Sequence, residues 1–450
     1  MRADEPPPRP GRLRVVQLAN FISPTSGGLG TVVRALARGY RQDGLDPVLV
    51  LPGDRRQSRD PQPTQDRRQA GDPQQLERHA EERPSVEILG GPRLPGSGGA
   101  YRVLLGRRPV AATLRRLAPD LVEVHDQTTL AWVSGWCREA GIPAVLFAHE
   151  RIDLVAAEAT RWLDAVPRGA IWRDRATDGW TSRLADRFDA VVCASRFAAE
   201  PFLTGGGAWL SGNAEPSGHA RPSAQTAPSV HVVPFGVDLD LFRPRTCRDL
   251  PWDLGTLRLV SVGRLHPDKR PELALDTLAE LCAAGVRAQL VHLGEGPLGP
   301  ALRAKADRER LPARYLGHQP DPVRVAEVLS AADVALAPCP RETFALAALE
   351  AMACGTPVVV SARGAAGELL EPGAGATASS ARQAASAVRA LAADAGAGAA
   401  ARAAAEHRSW TATVAAVREV HDQVLVRPRD PACAARRSGR AGWSRRPSPR

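Results

Sequence analysis

Short apolar runs alternate along the chain with longer amphipathic stretches, and most of the runs end in polar residues. The first, RLRVVQLANF at residues 12–21, reads as a strand leaving into a loop. Glycine-rich residues 27–30 then open a helix whose apolar period carries it to about Arg41, and PVLVLPG at 47–53 gives the next strand. Strand, glycine loop, helix and strand begin a βαβ arrangement. DLVEVHD (120–126), PAVLFAHE (143–150) and DAVVCAS (189–195) add short strands separated by helix-sized segments. In open α/β sheets the C-terminal edges of such strands are where ligands bind. The alternation resumes after VHVVPFGVDLDLFRP (230–244), through 257–265, 270–285, 288–297, 313–318, 323–333, 334–340 and 357–361, and ends in an Ala- and Arg-rich helical run over about 380–425.

This pattern predicts an α/β protein of two Rossmann-like domains facing across a cleft. The expected boundaries are 1–235 for the first domain, 236–405 for the second, 406–426 for a C-terminal helix and 427–450 for a basic tail. Residues 54–85, rich in Pro and Gln, and the low-complexity stretch 204–229 are read as excursions from the first domain. A chain of 450 residues is too long for one core, which agrees with two domains.

Composition narrows the class. With 44% apolar and 24% charged residues the chain is an ordinary globular protein. No apolar run approaches the roughly 20 residues of a membrane span, and residues 1–21 lack a signal-peptide apolar core. A cytoplasmic location is expected. The seven cysteines are scattered, without CxxC or metal-ligand spacing, and are read as reduced thiols; no metal is expected. The formal net charge is +10, but the tail from Arg427 to Arg450 carries eight arginines against Asp430 alone. The rest of the chain is nearly balanced, which argues against nucleic acid as a partner, and the tail reads as a solvated extension. GRRPVAATLRRLAPD sets Arg107 and Arg108 against Arg115 and Arg116 on one helical face, which suits anionic lipid headgroups or simply water.

Three groups of residues carry candidate chemistry. Gly27 and Gly28, in the GGLG loop, allow backbone amides to approach a phosphate at a helix start, although a plain tight turn has the same signature. Arg264 and Lys269, in GRLHPDKR, put two cations past the end of a strand, which suits a diphosphate, although a solvated basic turn has the same signature. The chain has only two lysines, Lys269 and Lys305, so a lysine at this point is not interchangeable with the arginine used nearly everywhere else. RETFALAALEAMACGTPVVV (341–360) places Glu342 in a loop and Glu350 eight residues later, inside an otherwise apolar helix expected to start near Thr343 or Phe344. The amides of Phe344, Ala345 and Leu346 are then available to an anion, and both carboxylates to ligand hydroxyls. His149 and Asp126 follow strands and can point into the cleft or serve the fold. Asp238 and Asp240 make a poor metal pair, with no third ligand nearby.

In their order, GGLGTVV, FAHE, VPFGVDLDLF, VGRLHPDKRPELAL, LGEGPL and the segment from Val334 to Ser361 resemble the retaining glycosyltransferases of family 4, with the GT-B fold. The likeness spans about residues 12–375. Within that family VVQLANFISPTSGGLGTVV, FAHERIDLV and VALAPCPRETFALAALE are most similar to the GDP-mannose-dependent mannosyltransferases that elongate phosphatidylinositol mannosides. The resemblance implies a nucleotide-sugar donor, a lipid-linked acceptor, a peripheral place at the inner face of the plasma membrane and no cofactor. It implies that Gly27 and Gly28 face the donor diphosphate and that Arg264 and Lys269 neutralise it. Glu342 would contact the transferred sugar, the amides of Phe344, Ala345 and Leu346 would hold phosphate and sugar, and Glu350 would accept from the ribose. His149 would lie by the anomeric centre, on the acceptor side with Asp126. The family has Gly where Ala345 stands, and it lacks the long stretches 54–85 and 204–229 and the basic tail. An epimerase or a phosphorylase of this fold lacks support from a cofactor lysine or an extra acid-base cluster; the alternatives are a glycosyltransferase using another nucleotide sugar and a small soluble or polysaccharide acceptor, and a nucleotide-sugar-binding protein without turnover, suggested only by Ala345.

Overall fold

The structure, a computed structural model, describes residues 11–22, 28–53, 84–94, 101–160, 179–203, 209–211, 229–246, 249 and 251–427. Two parallel sheets organise them. The first has eight strands, β1 (Arg14–Leu18), β2 (Asp46–Gly53), β3 (Ser85–Gly90), β4 (Leu121–Val124), β5 (Ala144–Ala148), β6 (Ala190–Cys193), β7 (Trp209–Ser211) and β8 (Ser229–Val232). Their spatial order is β3-β2-β1-β4-β5-β6-β8-β7. The second has six, β9 (Leu257–Val262), β10 (Ala288–Leu293), β11 (Ala313–Tyr315), β12 (Val334–Ala337), β13 (Val358–Ser361) and β14 (Gly375–Ala378), in the order β11-β10-β9-β12-β13-β14.

The apolar runs become strands because helices cover both faces of each sheet. β4, β5 and β6 are buried at every position. The helix Gly28–Gln42 lays Val32, Val33, Leu36, Ala37 and Tyr40 on the first sheet. In the second domain Pro271–Ala283 buries Ala274, Leu275, Leu278 and Leu281. The strand order reverses between β1 and β4 in one sheet and between β9 and β12 in the other. Such a reversal opens a crevice at the strands' C-terminal ends, where ligands bind. The residues after β1, β4, β9 and β12 are therefore the ones the topology offers for a site.

Composition misjudged several segments. The stretch 204–229 contains the edge strand β7, whose Trp209–Ser211 backbone pairs parallel to β8. Otherwise 54–85 and 204–229 lie almost wholly outside the described residues, as does the tail after Arg427. The helical run 380–425 is three helices, Ala381–Ala393, Ala397–Glu406 and Trp410–Val426. It breaks at residues 394–396 and 407–409; Ser380 and Ser409 cap the first and last of these helices, each hydroxyl accepting from the amide three residues on. Asp238 is a turn residue: its Oδ1 accepts from the amides of Asp240 and Leu241 at 3.1 and 3.0 Å.

The last helix returns to the first domain. Gly236 passes so close to it that a Cβ there would lie 2.2 Å from the amide nitrogen of Trp410. Val414, Val417, Val420 and Val424 are buried along the helix. His421 Nε2 donates to Glu123 Oε1 on β4 at 2.8 Å, with both side chains fully inaccessible. Tyr40 Oη donates to the same oxygen at 2.6 Å, Gln17 Nε2 to Glu123 Oε2 at 2.6 Å, and His125 Nε2 reaches that oxygen at 3.2 Å. Burial pushes the Glu123 carboxyl up, but the hydrogen bonds from His125 and His421 outweigh it and hold it far below the usual range. His421→Ala should destabilise the protein by about 2–3 kcal/mol in urea unfolding, because it removes a donor to a buried charge. A loss near zero would mean that the helix is held by its valines alone.

Candidate active site

The first domain's wall is built at the ends of β4 and β5. Asp126 anchors it: its Oδ1 accepts from the Thr128 amide and hydroxyl, both at 2.7 Å, and its Oδ2 from Asn20 Nδ2 at 3.0 Å and from the Thr129 hydroxyl. Its oxygens are thus occupied in shaping the Thr128–Thr129 turn. His149 follows β5 and reaches back, Nε2 lying 2.8 Å from His125 Nδ1. Burial holds the His149 pKa well below the ordinary histidine value. Its neighbour Glu150 faces the cleft, and burial raises its carboxyl in spite of the opposing pull of Lys269 and Arg264. Beside the turn, Leu105, Arg107, Ala131, Trp132, Trp180 and Arg187 frame a recess of about 380 Å³.

The second domain's wall carries the charges. After β9 the chain makes a single 3-10 turn, Pro267–Lys269. Lys269 Nζ pairs with Glu342 Oε2 at 2.7 Å, and Arg264 Nη2 lies 3.4 Å from Asp268 Oδ2. Burial lowers the Lys269 pKa, but the Glu342 carboxylate more than reverses this. Burial likewise raises Asp268, and Lys269 and Arg264 pull it below the usual range. Arg264, Asp268, Lys269 and Glu342 form one linked set of charges, open to solvent on the cleft side.

The helix that follows starts later than expected. It spans Leu346–Ala353, with Ala345 as its N-cap at φ 69° and ψ 57°. Phe344 and Ala345 are buried but non-helical. A side chain in the left-handed region costs roughly 1–2 kcal/mol, which is why glycine suits this point. The delayed start leaves the amides of Ala345, Leu346 and Ala347 without a carbonyl acceptor among the described residues. Glu350, one turn into the helix, is half-buried and has no donor among the described residues; burial alone pushes its carboxyl up to about 7. It is less open to solvent than a carboxylate in an unobstructed cleft.

Direct contacts join the walls. Thr343 Oγ1 donates to the His149 carbonyl at 2.6 Å, and Ser195 Oγ donates to the Thr343 carbonyl at 2.7 Å. The amides of Arg196 and Phe197 both donate to the Glu368 carboxylate at 2.9 Å. A Cβ on Gly28 would stand 3.4 Å from Leu346 Cδ1, so the glycine loop meets the start of the second domain's helix. The rings of His149, Phe235 and Phe344 run from one wall to the other, with centroids 5.7 and 5.4 Å apart. These contacts bring Gly28, His149, Lys269, Glu342, Phe344 and Leu346 together, with Arg264 and Ala345 beside them; Phe344 and Ala345 belong to the buried core, Glu350 lies on the same helix as Leu346, and Gly27 lies outside the described residues. Glu150, Asp268, Thr343 and Glu368 also belong to this group and were not picked from the sequence. Glu150 and Thr343 directly follow singled-out residues, a signal that was present, whereas nothing local marks Glu368.

Comparison with known proteins agrees with this geometry. Residues 26–206 match Glycosyltransferase Family 4, and residues 256–394 match Glycosyl transferases group 1. The GDP-mannose-dependent alpha-(1-6)-phosphatidylinositol dimannoside mannosyltransferase of Mycobacterium tuberculosis is 38% identical over 385 residues, covering 84% of this chain and 87% of that protein. The MMP alpha-(1->4)-mannosyltransferase of Mycolicibacterium hassiacum is 26% identical over 396 residues, covering 80% and 84%. Among solved structures, the sucrose-phosphate synthase of Thermosynechococcus elongatus superposes with a TM-score of 0.63 at 19% identity, over 92% of this chain and 99% of that one. Anabaena HepE in complex with UDP and glucose does so at 0.61 and 18%, over 92% and 100%. The fold is therefore GT-B. The chain belongs to glycosyltransferase family 4 and is a hexosyltransferase.

Glu350 also makes a prediction for the ligand-free protein. Its folded pKa is raised to about 7 from about 4.3 unfolded, so the stability tied to its proton is complete below about pH 4 and lost as pH rises through 7. Glu350→Gln should match wild type in Tm near pH 4 and exceed it at pH 8. A Tm difference that is flat in pH would show the carboxyl to be unperturbed.

Proposed function

We propose that the chain transfers mannose from GDP-mannose, with retention, to a phosphatidylinositol mannoside at the inner face of a membrane. The similarity to the mycobacterial dimannoside mannosyltransferase over most of both chains supports this choice of donor and acceptor. The observation that carries the chemistry is the wall of Arg264, Lys269 and the unpartnered Ala345–Ala347 amides around an unpaired Glu350. Fixed cations and amides stabilise the charge that grows on a departing diphosphate, the largest contribution such a site makes. Glu350, deprotonated, accepts from the ribose hydroxyls, and Glu342 from the sugar. As the anomeric carbon loses the diphosphate, the acceptor oxygen bonds to the same face and its proton passes to the departing phosphate oxygen. Gly28 and Gly27 give the diphosphate room, and His149 lies on the sugar side. Ala345 already holds the left-handed conformation, which favours a working site over an inactive one.

The acceptor side follows the same logic. The recess beside the Asp126-anchored turn is lined by Trp132, Trp180, Arg107 and Arg187, with the Arg107 guanidinium 5.7 Å over the Trp132 ring; indole edges would meet a sugar or inositol ring and the guanidinium groups a phosphate diester. The helix Arg107–Leu117 starts at its rim, with Arg107, Arg108, Arg115 and Arg116 all on the surface. Among the described residues no helix is long and apolar enough to cross a membrane.

A thermal-shift panel of GDP-, UDP- and ADP-sugars tests the donor. GDP-mannose near 100 times its Kd should raise Tm by roughly 5 °C, and Glu350→Ala should abolish the rise; stabilisation by a UDP-sugar alone would overturn the choice of base. Lys269→Arg should cut transfer at least tenfold, because a planar fork cannot replace a point charge held between Glu342 and a phosphate. Sedimentation with phosphatidylcholine vesicles, with and without phosphatidylinositol, tests the surface. Arg108→Ser and Arg115→Ser should each weaken binding to the anionic vesicles about fivefold, and wild-type indifference to the anionic lipid would remove the basic helix from the account.

A further inference from the structure

Behind His149 stands a buried row of groups. Glu123 Oε2 meets His125 Nε2 at 3.2 Å, and His125 Nδ1 meets His149 Nε2 at 2.8 Å. The side chains of Glu123 and His125 are fully inaccessible. The His125 ring is stacked on Phe147, at 4.5 Å between centroids, and lies edge to edge with the near-parallel His149 ring at 5.1 Å, so it cannot turn without breaking the stack and the hydrogen bond.

Donor and acceptor capacity fixes the direction of these bonds. Glu123 is ionised and accepts only, and its other donors, Gln17, Tyr40 and His421, come from three other elements. His125 must therefore donate from Nε2. With His125 neutral its one N–H is on Nε2, so its Nδ1 accepts and His149 supplies the proton from its own Nε2. Burial keeps His149 neutral. The remaining nitrogen, His149 Nδ1, is then a bare lone pair. It has no protein partner among the described residues and is absent from the buried unsatisfied atoms, so it is the ring edge that opens on the cleft.

We propose that Glu123 and His125 are positioning residues that fix the aim and tautomer of His149, so that Nδ1 accepts a hydrogen bond from a hydroxyl of the transferred sugar. The proposal rests on the sugar-transfer reading of the cleft. A wrong tautomer would point an N–H at that hydroxyl and lose the contact as the sugar gains positive charge. The same carboxylate that receives the C-terminal helix thus also orders the reacting wall.

The test uses the full-length protein with 15N-labelled histidine and three variants. Long-range 1H–15N correlation spectra, with His149→Phe for assignment, should show His149 protonated at Nε2 alone. In His125→Phe, which keeps the stacking but neither hydrogen bond, the two tautomers should mix. Transfer should fall about 100-fold in kcat with donor KM little changed. His125→Gln, which retains one donor and one acceptor, should recover most of that loss, and the His125→Phe/His149→Phe double variant should be no slower than His149→Phe alone. A single Nε2-protonated His149 in folded His125→Phe, wild-type kcat there, or losses that multiply in the double variant would each overturn the proposal. If the wild-type protein transfers no sugar from any nucleotide donor, the functional reading fails instead, and the spectra still decide whether His125 sets the tautomer.

Discussion

A single buried carboxylate holds the molecule's two ends together. Glu123 gives up hydration worth several kcal/mol, and one donor alone would not offset that loss. It is satisfied by Gln17 from β1, Tyr40 from the first helix, His125 beyond β4 and His421 from the last helix. Each donor fixes the element that carries it. Because the last helix belongs to the chain after the second sheet, the bond to His421 also sets how the second domain's return path lies on the first. Removing any one donor leaves a charge without full compensation, so the arrangement tolerates little drift.

The cleft obeys the opposite rule. Its charges are paired but accessible: Lys269 with Glu342, and Arg264 near Asp268, while Glu150 across the gap feels both cations. Exposed or half-exposed pairs of this kind contribute little to stability, so a ligand can replace one partner at small cost. Rigid support beneath and exchangeable charge above is what a site needs if it is to hold an incoming diphosphate and then release it. Both parts sit at the strand-order reversals of the two sheets, so the topology and the electrostatics point to the same gap.

Much of this was legible in the chain because it rests on local pattern. Alternating apolar runs revealed two parallel sheets, and the Glu342–Glu350 segment with Lys269, one of only two lysines, marked the charged wall. What escaped was set by distant contacts. The helix after Glu342 starts two or three residues later than its composition implies, because Ala345 turns left-handed as Thr343 reaches across to His149. Trp209–Ser211 is a strand only because β8 offers it an edge. His125 and Glu123 looked like ordinary residues of a buried strand end. Their importance depends on His421, nearly 300 residues away in sequence, which no local window brings beside them.

The central claim is that this cleft joins a nucleotide-linked mannose to a lipid-borne acceptor with retention. The most direct measurement supplies purified protein with radiolabelled GDP-mannose and a defined phosphatidylinositol mannoside, and determines the linkage of the product by NMR and α-mannosidase digestion. The account predicts label in the lipid fraction, one mannose longer and entirely α-linked. Label released only as free mannose, or a β-linked product, would contradict it.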